Sequence, residues 1–226
     1  MVKRVLMIAL VVGGLAGMMG AALALAADPP EPELKFRSYV PAVARAENPT
    51  TTPAAPPTPT PRPPVYAGPV QTLYLGSAAL TMNPVVEQRD TITRAGREVF
   101  EDPSAPARVA WYPRFGHPGF GGNNSLFSAH VNYVGYGNGP FAHLTGASIG
   151  DALYVNMDNG ESYAYTVKSV EIIDLDSLDM DAIVFPPLDS NTERITLISC
   201  GGTFVQTAAG GEYNSRVILV AERYVP

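Results

Sequence analysis

The sequence predicts an all-β folded domain that follows an N-terminal apolar helix and a proline-rich linker. From Val70 onward, short runs rich in β-branched and aromatic residues are separated by Gly, Asn, Asp and Pro, which is typical of a barrel or a sandwich. The tripeptide Asp-Asn-Gly at residues 158–160 lies between two such runs, residues 152–157 and 162–173. Because these residue types tolerate positive φ, the tripeptide predicts a tight β-hairpin.

The N-terminal segment carries the features of an export signal. Lys3 and Arg4 precede an uncharged apolar stretch at residues 5–27. Such a stretch is long enough to span a bilayer, and by the positive-inside rule it would place the rest of the chain outside the cell. Ala24-Leu25-Ala26 before Ala27 also fits a cleavage site, so a membrane anchor and a cleaved signal both stay open. We assign residues 1–27 to this signal or anchor.

The next segment, residues 28–68, is rich in Pro, Thr, Ala and Glu. Proline fixes φ and removes a backbone donor, so this composition predicts an extended, semi-rigid linker. The remaining residues, 69–226, are enough for one domain of ordinary size.

The first strands of this domain can be placed in chain order. Residues 74–80 predict a first strand, and residues 90–96 and 109–112 predict weaker ones. Residues 126–131 follow a turn cluster of Gly and Asn and predict a strand that is buried on both faces. Residues 140–145 predict a short helical turn.

The C-terminal half ends in two further strands. Residues 174–181 alternate acidic and apolar residues, and they predict a surface loop or short helical turn, because a calcium loop needs a different spacing of oxygen ligands. Residues 194–199 predict the last strand but one, which ends at Cys200. A loop is predicted over residues 201–211, and residues 216–224 predict the strand that closes the sheet.

Composition excludes some classes of partner. The formal net charge of −6, without clustered Lys and Arg, argues against nucleic acid as a partner, since phosphate contacts need such clusters. The three histidines lie thirteen residues apart, whereas zinc sites usually include a short-spaced pair, so a three-histidine zinc site is disfavoured. We therefore expect no nucleic-acid partner, no metal and no cofactor.

The single cysteine, Cys200, is the strongest candidate for chemistry. It follows a β-rich run and precedes a Gly-Gly pair, where a substrate can approach closely. It is either a buried structural residue or a reactive thiol, and a reactive thiol needs partners that favour its ionisation. His117 is predicted to be an exposed loop residue and His143 a helix-surface or core residue. His130 is the best-placed acid or base.

Three segments resemble the sortase family of cysteine transpeptidases. NNSLFSAH at residues 123–130, followed by VNYVGYGNGPFAHL and IGDALYV, is similar to the stretch around the sortase histidine. ITLISCGG at residues 195–202 is similar to the cysteine segment, and YNSRVILVAE from Tyr213 resembles the strand that begins with the essential arginine. The resemblance covers residues 109–223, the order His, Cys, Arg is that of the family, and the details are most like class E and F sortases.

The resemblance implies a closed β-barrel of about eight strands with short helices. It implies Cys200 as the nucleophile, His130 as the acid and base, and Arg216 as the residue that stabilises the transition state. The gap between Cys200 and Arg216 is longer than in many sortases, so Arg194 and Arg223 remain rivals for the arginine role.

Small residues next to the predicted catalytic groups are expected to contact the substrate. These are Ala129, Ser199 and Gly201. Ala129 stands where sortases commonly have glycine, and Ser199 stands where threonine is usual; both replacements are small.

The resemblance also implies substrates and a location. The chain would cleave an LPXTG-like sorting signal through a thioacyl intermediate and transfer the protein to an amine, supplied by a cell-wall precursor or a pilin. It would act as a monomer, held at the cell membrane by its N-terminal helix with the catalytic domain outside, or secreted if that segment is cleaved. The alternative is a non-catalytic cell-surface β-domain, for adhesion or carbohydrate binding, on a proline-rich stalk.

Overall fold

The computed structural model describes residues 65–76, 81–207 and 210–225; the predicted N-terminal helix and the linker up to residue 64 lie outside them. The strands are β1 (Val70–Gly76), β2 (Thr81–Met82), β3 (Val86–Gln88), β4 (Thr91–Arg94), β5 (Arg97–Phe100), β6 (Val109–Trp111), β7 (Asn124–Ser128), β8 (Asn132–Tyr133), β9 (Gly137–Asn138), β10 (Ala152–Met157), β11 (Ser162–Asp174), β12 (Thr192–Thr207) and β13 (Gly210–Tyr224). One α-helix is described, α1 (Met180–Val184). Among the described residues, none of the helices has the length and apolar character needed to cross a bilayer.

Nine of these strands form one sheet, in the order β2-β1-β10-β11-β13-β12-β7-β6-β3. The sheet curls so that its two ends meet. Thr72 of β1 forms a bridge with Val85, just before β3, and the Leu73 amide donates to the Pro84 carbonyl at 3.3 Å. The predicted all-β barrel with short helices is confirmed.

The β10–β11 hairpin confirms the clearest turn prediction. Its strands pair from Asn156 opposite Ser162 to Ala152 opposite Thr166. The turn between them contains Gly160 at a φ of 90°, which an L-residue rarely adopts.

The smaller elements follow the sequence with shifted boundaries. The predicted strand at residues 74–80 begins earlier, at Val70, and residues 77–80 are not described. The weaker candidates correspond to β4 and β6, and β4 pairs with β5 as a separate hairpin. The two predicted helical turns are a 3-10 turn at Leu144–Gly146 and a 3-10 turn at Leu175–Ser177 that leads into α1.

The prediction that the cysteine strand ends at Cys200 and opens a loop is wrong. β12 continues through Cys200 to Thr207 and forms a long antiparallel hairpin with β13. The glycine pair forms a bulge inside this hairpin: the register shifts between Gly201 and Phe204, and Gly202 has a φ of 76°. Glycine at positive φ is a common way to build a β-bulge, which bends and twists the strand pair.

Strand alternation gives the barrel an apolar interior and an apolar patch on its outer face. On β12, Leu197 enters the interior cluster, whereas Ile198 belongs to the outer cluster. Helix α1 packs against this outer face through Met180 and Val184. The large, fully buried residues of the interior include Leu73, Leu75, Trp111, Phe127, Phe141, Leu153, Tyr165 and Ile195.

Candidate active site

Cys200 and Arg216 form a directly opposed pair in the β12–β13 hairpin. Cys200 is two residues from Ile198, and Arg216 is two residues from Ile218, so both share the outer face with these members of the outer cluster. The hairpin therefore places a thiol beside a guanidinium on the outside of the barrel.

The parallel pairing of β7 and β12 places His130 near Cys200. Ser128 lies opposite Ile198 at the end of the ladder, and the next amide, that of Ala129, donates to the Ile198 carbonyl at 3.3 Å. His130 and Cys200 each lie two residues beyond the Ser128 and Ile198 pair, so alternation returns both to the same outer face. Strand pairing thus brings together two residues that are far apart in the sequence.

The three predicted catalytic residues line one cavity of about 280 Å³. Its floor is the outer face of β7, β12 and β13, and its opposite wall is the β4–β5 hairpin with the segment that follows. The lining residues from that wall are Arg94, Val99, Phe100, Asp102 and Pro103. Ser128, Ala129, Ile198, Ser199 and Glu212 complete the lining.

The thiol of Cys200 is half-buried, and this burial is the main influence on its ionisation. Burial raises the pKa of Cys200 above its ordinary value, because a thiolate is poorly solvated there. The positive charge of Arg216 lowers that pKa, while the carboxylates of Glu212 and Asp102 raise it. The resting site therefore favours the neutral thiol at neutral pH.

The guanidinium of Arg216 is buried and held at three points. One terminal nitrogen donates to the Tyr213 carbonyl at 3.2 Å and to the Ser215 carbonyl at 3.0 Å. The other terminal nitrogen donates to Glu212 at 3.0 Å. The orientation of the guanidinium is therefore fixed before any substrate binds.

The two rival arginines lie at the other end of the same hairpin. Arg194 donates to Glu222 at 2.6 and 2.9 Å. Arg223 donates to Glu193 at 2.6 Å and its guanidinium lies 4.5 Å from the ring centre of Tyr163. Six residues of extended strand separate position 194 from position 200, which is roughly 20 Å. The structure therefore brings Arg216, and not these two, to Cys200.

His130 is positioned by the loop that follows β7. Its backbone carbonyl accepts from the Phe141 amide at 3.2 Å, and its ring lies 5.2 Å from that of Tyr133 in an edge-on contact. Gly139 packs against the same carbonyl so closely that an added Cβ would lie 2.3 Å from the oxygen. The turn that carries His130 is therefore fixed by backbone bonds and by one glycine.

The other two histidines have different surroundings. The prediction that His117 is an exposed loop residue is wrong: it is half-buried, with its ring nitrogens 2.8 Å and 2.9 Å from the carbonyl oxygens of Pro118 and Gly68. His143 is exposed and lies 3.3 Å from the Asn138 amide nitrogen. Within the described residues, no group of three or more His, Cys, Asp or Glu side chains is arranged to hold a metal.

The predicted substrate-contacting residues differ in position. Ala129 and Ser199 line the cavity, while Gly201 is buried and is not among the lining residues. Alternation places the Ser199 side chain on the opposite face of β12 from Cys200, and its buried hydroxyl has no hydrogen-bond partner in the described part.

Sequence patterns did not indicate the wall of the cavity or the partner of Arg216. Phe100, Asp102 and Pro103 reach the site from a hairpin that precedes β7 in the chain, and no local motif marks them. Glu212 lies between the predicted loop at residues 201–211 and the predicted strand at residues 216–224, so no predicted element places it beside Arg216. Residues four apart on a regular strand are about 13 Å apart, so a strand prediction through residue 212 would not have indicated this ion pair either.

A family model of the sortase domain matches residues 79–224, which is more than half of the chain. The chain therefore belongs to the sortase family of cysteine transpeptidases. Its structure is similar to the lid mutant of sortase A from Corynebacterium diphtheriae, with 15% identity, a TM-score of 0.47, and coverage of 73% of this chain and 74% of that chain. It is also similar to sortase C1 from Streptococcus suis, with 14% identity, a TM-score of 0.48, and coverage of 71% and 74%. No curated protein sequence matches the chain.

Proposed function

We propose that Cys200 is the nucleophile, His130 the acid and base, and Arg216 the oxyanion donor of a transpeptidase acting on exported proteins. The observation that carries this assignment is that the three side chains line one cavity, with Cys200 directly opposite Arg216. A binding module would not need a thiol, an imidazole and a fixed guanidinium at one site.

In the first step the Cys200 thiolate attacks a backbone carbonyl of the donor peptide. A sulfur–carbon bond forms, and the carbonyl oxygen becomes an oxyanion that accepts from Arg216. The carbon–nitrogen bond then breaks, His130 as imidazolium gives its proton to the departing amine, and a thioester remains. Burial raises the pKa of the Cys200 thiol, so only a small fraction of the resting enzyme carries the thiolate at neutral pH.

In the second step an incoming amine attacks the thioester carbonyl. Neutral His130 takes a proton from that amine as the new carbon–nitrogen bond forms. The carbon–sulfur bond breaks and the thiolate returns. The net result is exchange of one amide bond for another, without any external energy source.

The cavity fits an extended peptide with apolar side chains. Val99, Phe100, Pro103 and Ile198 give it an apolar wall next to the thiol. This supports an LPXTG-like sorting signal as the donor, because its Leu and Pro would be removed from water against such a wall. Of the three predicted contacts for the peptide near the scissile bond, Ala129 and Ser199 line the cavity and keep this role, whereas Gly201 is buried and lies outside the lining.

The acceptor and the location are part of the same proposal. The acceptor is an amine of a cell-wall precursor or of a pilin. The chain acts as a monomer of the class E or F type, tethered to the cell membrane by residues 1–27 with its catalytic domain outside, or released if that segment is cleaved. The apolar stretch and the proline-rich linker in the sequence support this placement.

The test is the covalent intermediate. The full chain, in membranes or detergent, is incubated with a peptide carrying an LPXTG-like motif, and intact and digested masses are measured. We expect an acyl adduct on Cys200 that an added amine such as triglycine removes. The Cys200→Ala variant keeps the fold and forms neither the adduct nor the product.

Two outcomes would overturn the assignment. One is an adduct on another residue, and the other is full turnover by Cys200→Ala. A folded chain that forms no adduct with any sorting peptide would instead favour the non-catalytic surface domain.

A further inference from the structure

We propose that Glu212 is a positioning residue that orients the guanidinium of Arg216 for the reaction. This inference rests on the proposed transpeptidase function. Glu212 accepts from Arg216 at 3.0 Å, and both side chains line the cavity that contains Cys200. The side chain of Arg216 is 11% exposed, and that of Glu212 is 31% exposed.

The bulge at Gly202 lies beside the place where this ion pair forms. On a regular strand, residues four apart point to the same face but lie about 13 Å apart. The β12–β13 hairpin shifts register between Gly201 and Phe204, opposite the segment between Arg216 and Glu212. A bulge bends and twists a strand pair, and the two long side chains meet at 3.0 Å beside it.

The hydrogen bonds of Arg216 show what the carboxylate contributes. A guanidinium has five N–H groups. Two donate to the carbonyls of Tyr213 and Ser215, and one donates to Glu212. The Nε hydrogen and one terminal hydrogen have no partner among the described residues, so they remain for an oxyanion. A donor held in this way stabilises developing charge without having to reorganise.

The same carboxylate has a second, opposite effect on the thiol. Its negative charge raises the pKa of Cys200, against the effect of Arg216. The other charged or titratable groups that line the cavity are Asp102, which also raises that pKa, Arg94 and His130. Removing the charge at position 212 should therefore ease ionisation of the thiol while it loosens the arginine. If the ion pair only stabilised the fold, its removal would not ease ionisation of the Cys200 thiol while lowering turnover.

The experiment uses two substitutions at position 212 in the full chain. In Glu212→Ala we expect kcat for peptide transfer to fall about tenfold, with KM for the peptide within about twofold, because Arg216 loses an anchor. In Glu212→Gln the amide oxygen still accepts from Arg216, so most of kcat is recovered. In both variants Cys200 reacts faster with iodoacetamide at pH 7, because its pKa is lower.

Glu222→Gln is the matched control, because Glu222 pairs with Arg194 on the same two strands, away from the cavity. It should change neither turnover nor alkylation. The proposal is overturned if Glu212→Ala keeps wild-type kcat, or if alkylation slows together with turnover. If the wild-type chain itself shows no transfer, the proposed function fails, and this role fails with it.

Discussion

Cys200 and Arg216 face each other across the β12–β13 hairpin, on the outer face of the barrel. Directly opposed residues on antiparallel strands have Cβ atoms roughly 5 Å apart, so the guanidinium is within reach of any oxyanion formed next to the sulfur. The facing positions of Cys200 and Arg216 depend on the register of the hairpin. Strand pairing on both sides of the bulge maintains this register.

Replacing Arg216 should abolish most turnover. Arg216→Ala removes the oxyanion donor, and we expect kcat to fall about 100-fold or more. Arg216→Lys should not restore it, because a lysine is a point charge without the planar fork of donors. Steady-state kinetics with a sorting peptide measure both variants. Arg194→Ala is the control and should keep near-wild-type kcat; an equal loss there would contradict the assignment of Arg216.

The pH dependence of alkylation should report the buried thiol. Burial raises the pKa of Cys200, so the thiolate accumulates only as the pH rises above the usual range for a cysteine. We expect the rate of iodoacetamide labelling to keep increasing beyond that range. In Arg216→Gln the curve should move to still higher pH, since the lost positive charge lowered the pKa. A labelling rate that levels off at a pH below the ordinary pKa range of a cysteine would show that the thiolate is stabilised, contrary to this prediction.

The fold was predictable where local residue chemistry decides the structure. The turn at residues 158–160 needs positive φ, and only a few residue types supply it, so the β10–β11 hairpin could be placed from sequence. The strand predicted at residues 126–131 exists but lies earlier, at Asn124–Ser128, where it is buried between two neighbouring strands.

Other features depend on partners far away in the chain and could not be predicted in this way. Gly201 and Gly202 suggest a loop when taken alone, but Gly201 pairs with Ser215 of β13, Gly202 lies in a bulge, and pairing resumes at Phe204, so the strand continues through both glycines. The same holds for Phe100 and Asp102, which reach the cavity through tertiary packing. Motifs could suggest His130, Cys200 and Arg216, whereas the wall opposite them follows only from the folded chain.

Gly139 should be intolerant of substitution because of His130. A Cβ at this position would lie 2.3 Å from the His130 carbonyl oxygen, so Gly139→Ala must move the loop that carries the imidazole. We expect a fall in kcat of about tenfold or more, because small misplacements of catalytic groups are costly. Thermal melting and kinetics are measured together. Normal kinetics in a folded Gly139→Ala variant would show that the loop adapts and that this contact does not position His130.

A buried ion pair at the opposite end of the hairpin should govern stability without affecting catalysis. The side chain of Glu193 is fully buried and accepts from Arg223 at 2.6 Å, from the Tyr165 hydroxyl at 2.5 Å and from the Gly119 amide at 2.6 Å. Arg223→Met would leave this carboxylate buried without its cation, which costs about 3 kcal/mol. For a domain of this size the melting temperature should fall by roughly 6–12 °C.

The double variant Glu193→Gln with Arg223→Met should recover part of that loss, because a neutral amide can be buried more cheaply than an unpaired carboxylate. Arg194→Met, which breaks a more exposed pair with Glu222, should cost no more than about 1 kcal/mol. Calorimetry gives the melting temperatures, and labelling of Cys200 at 20 °C checks that the distant cavity is unchanged. If Arg223→Met melts like the wild type, the carboxylate of Glu193 does not need its cation, and the network is held by the hydroxyl and amide donors alone.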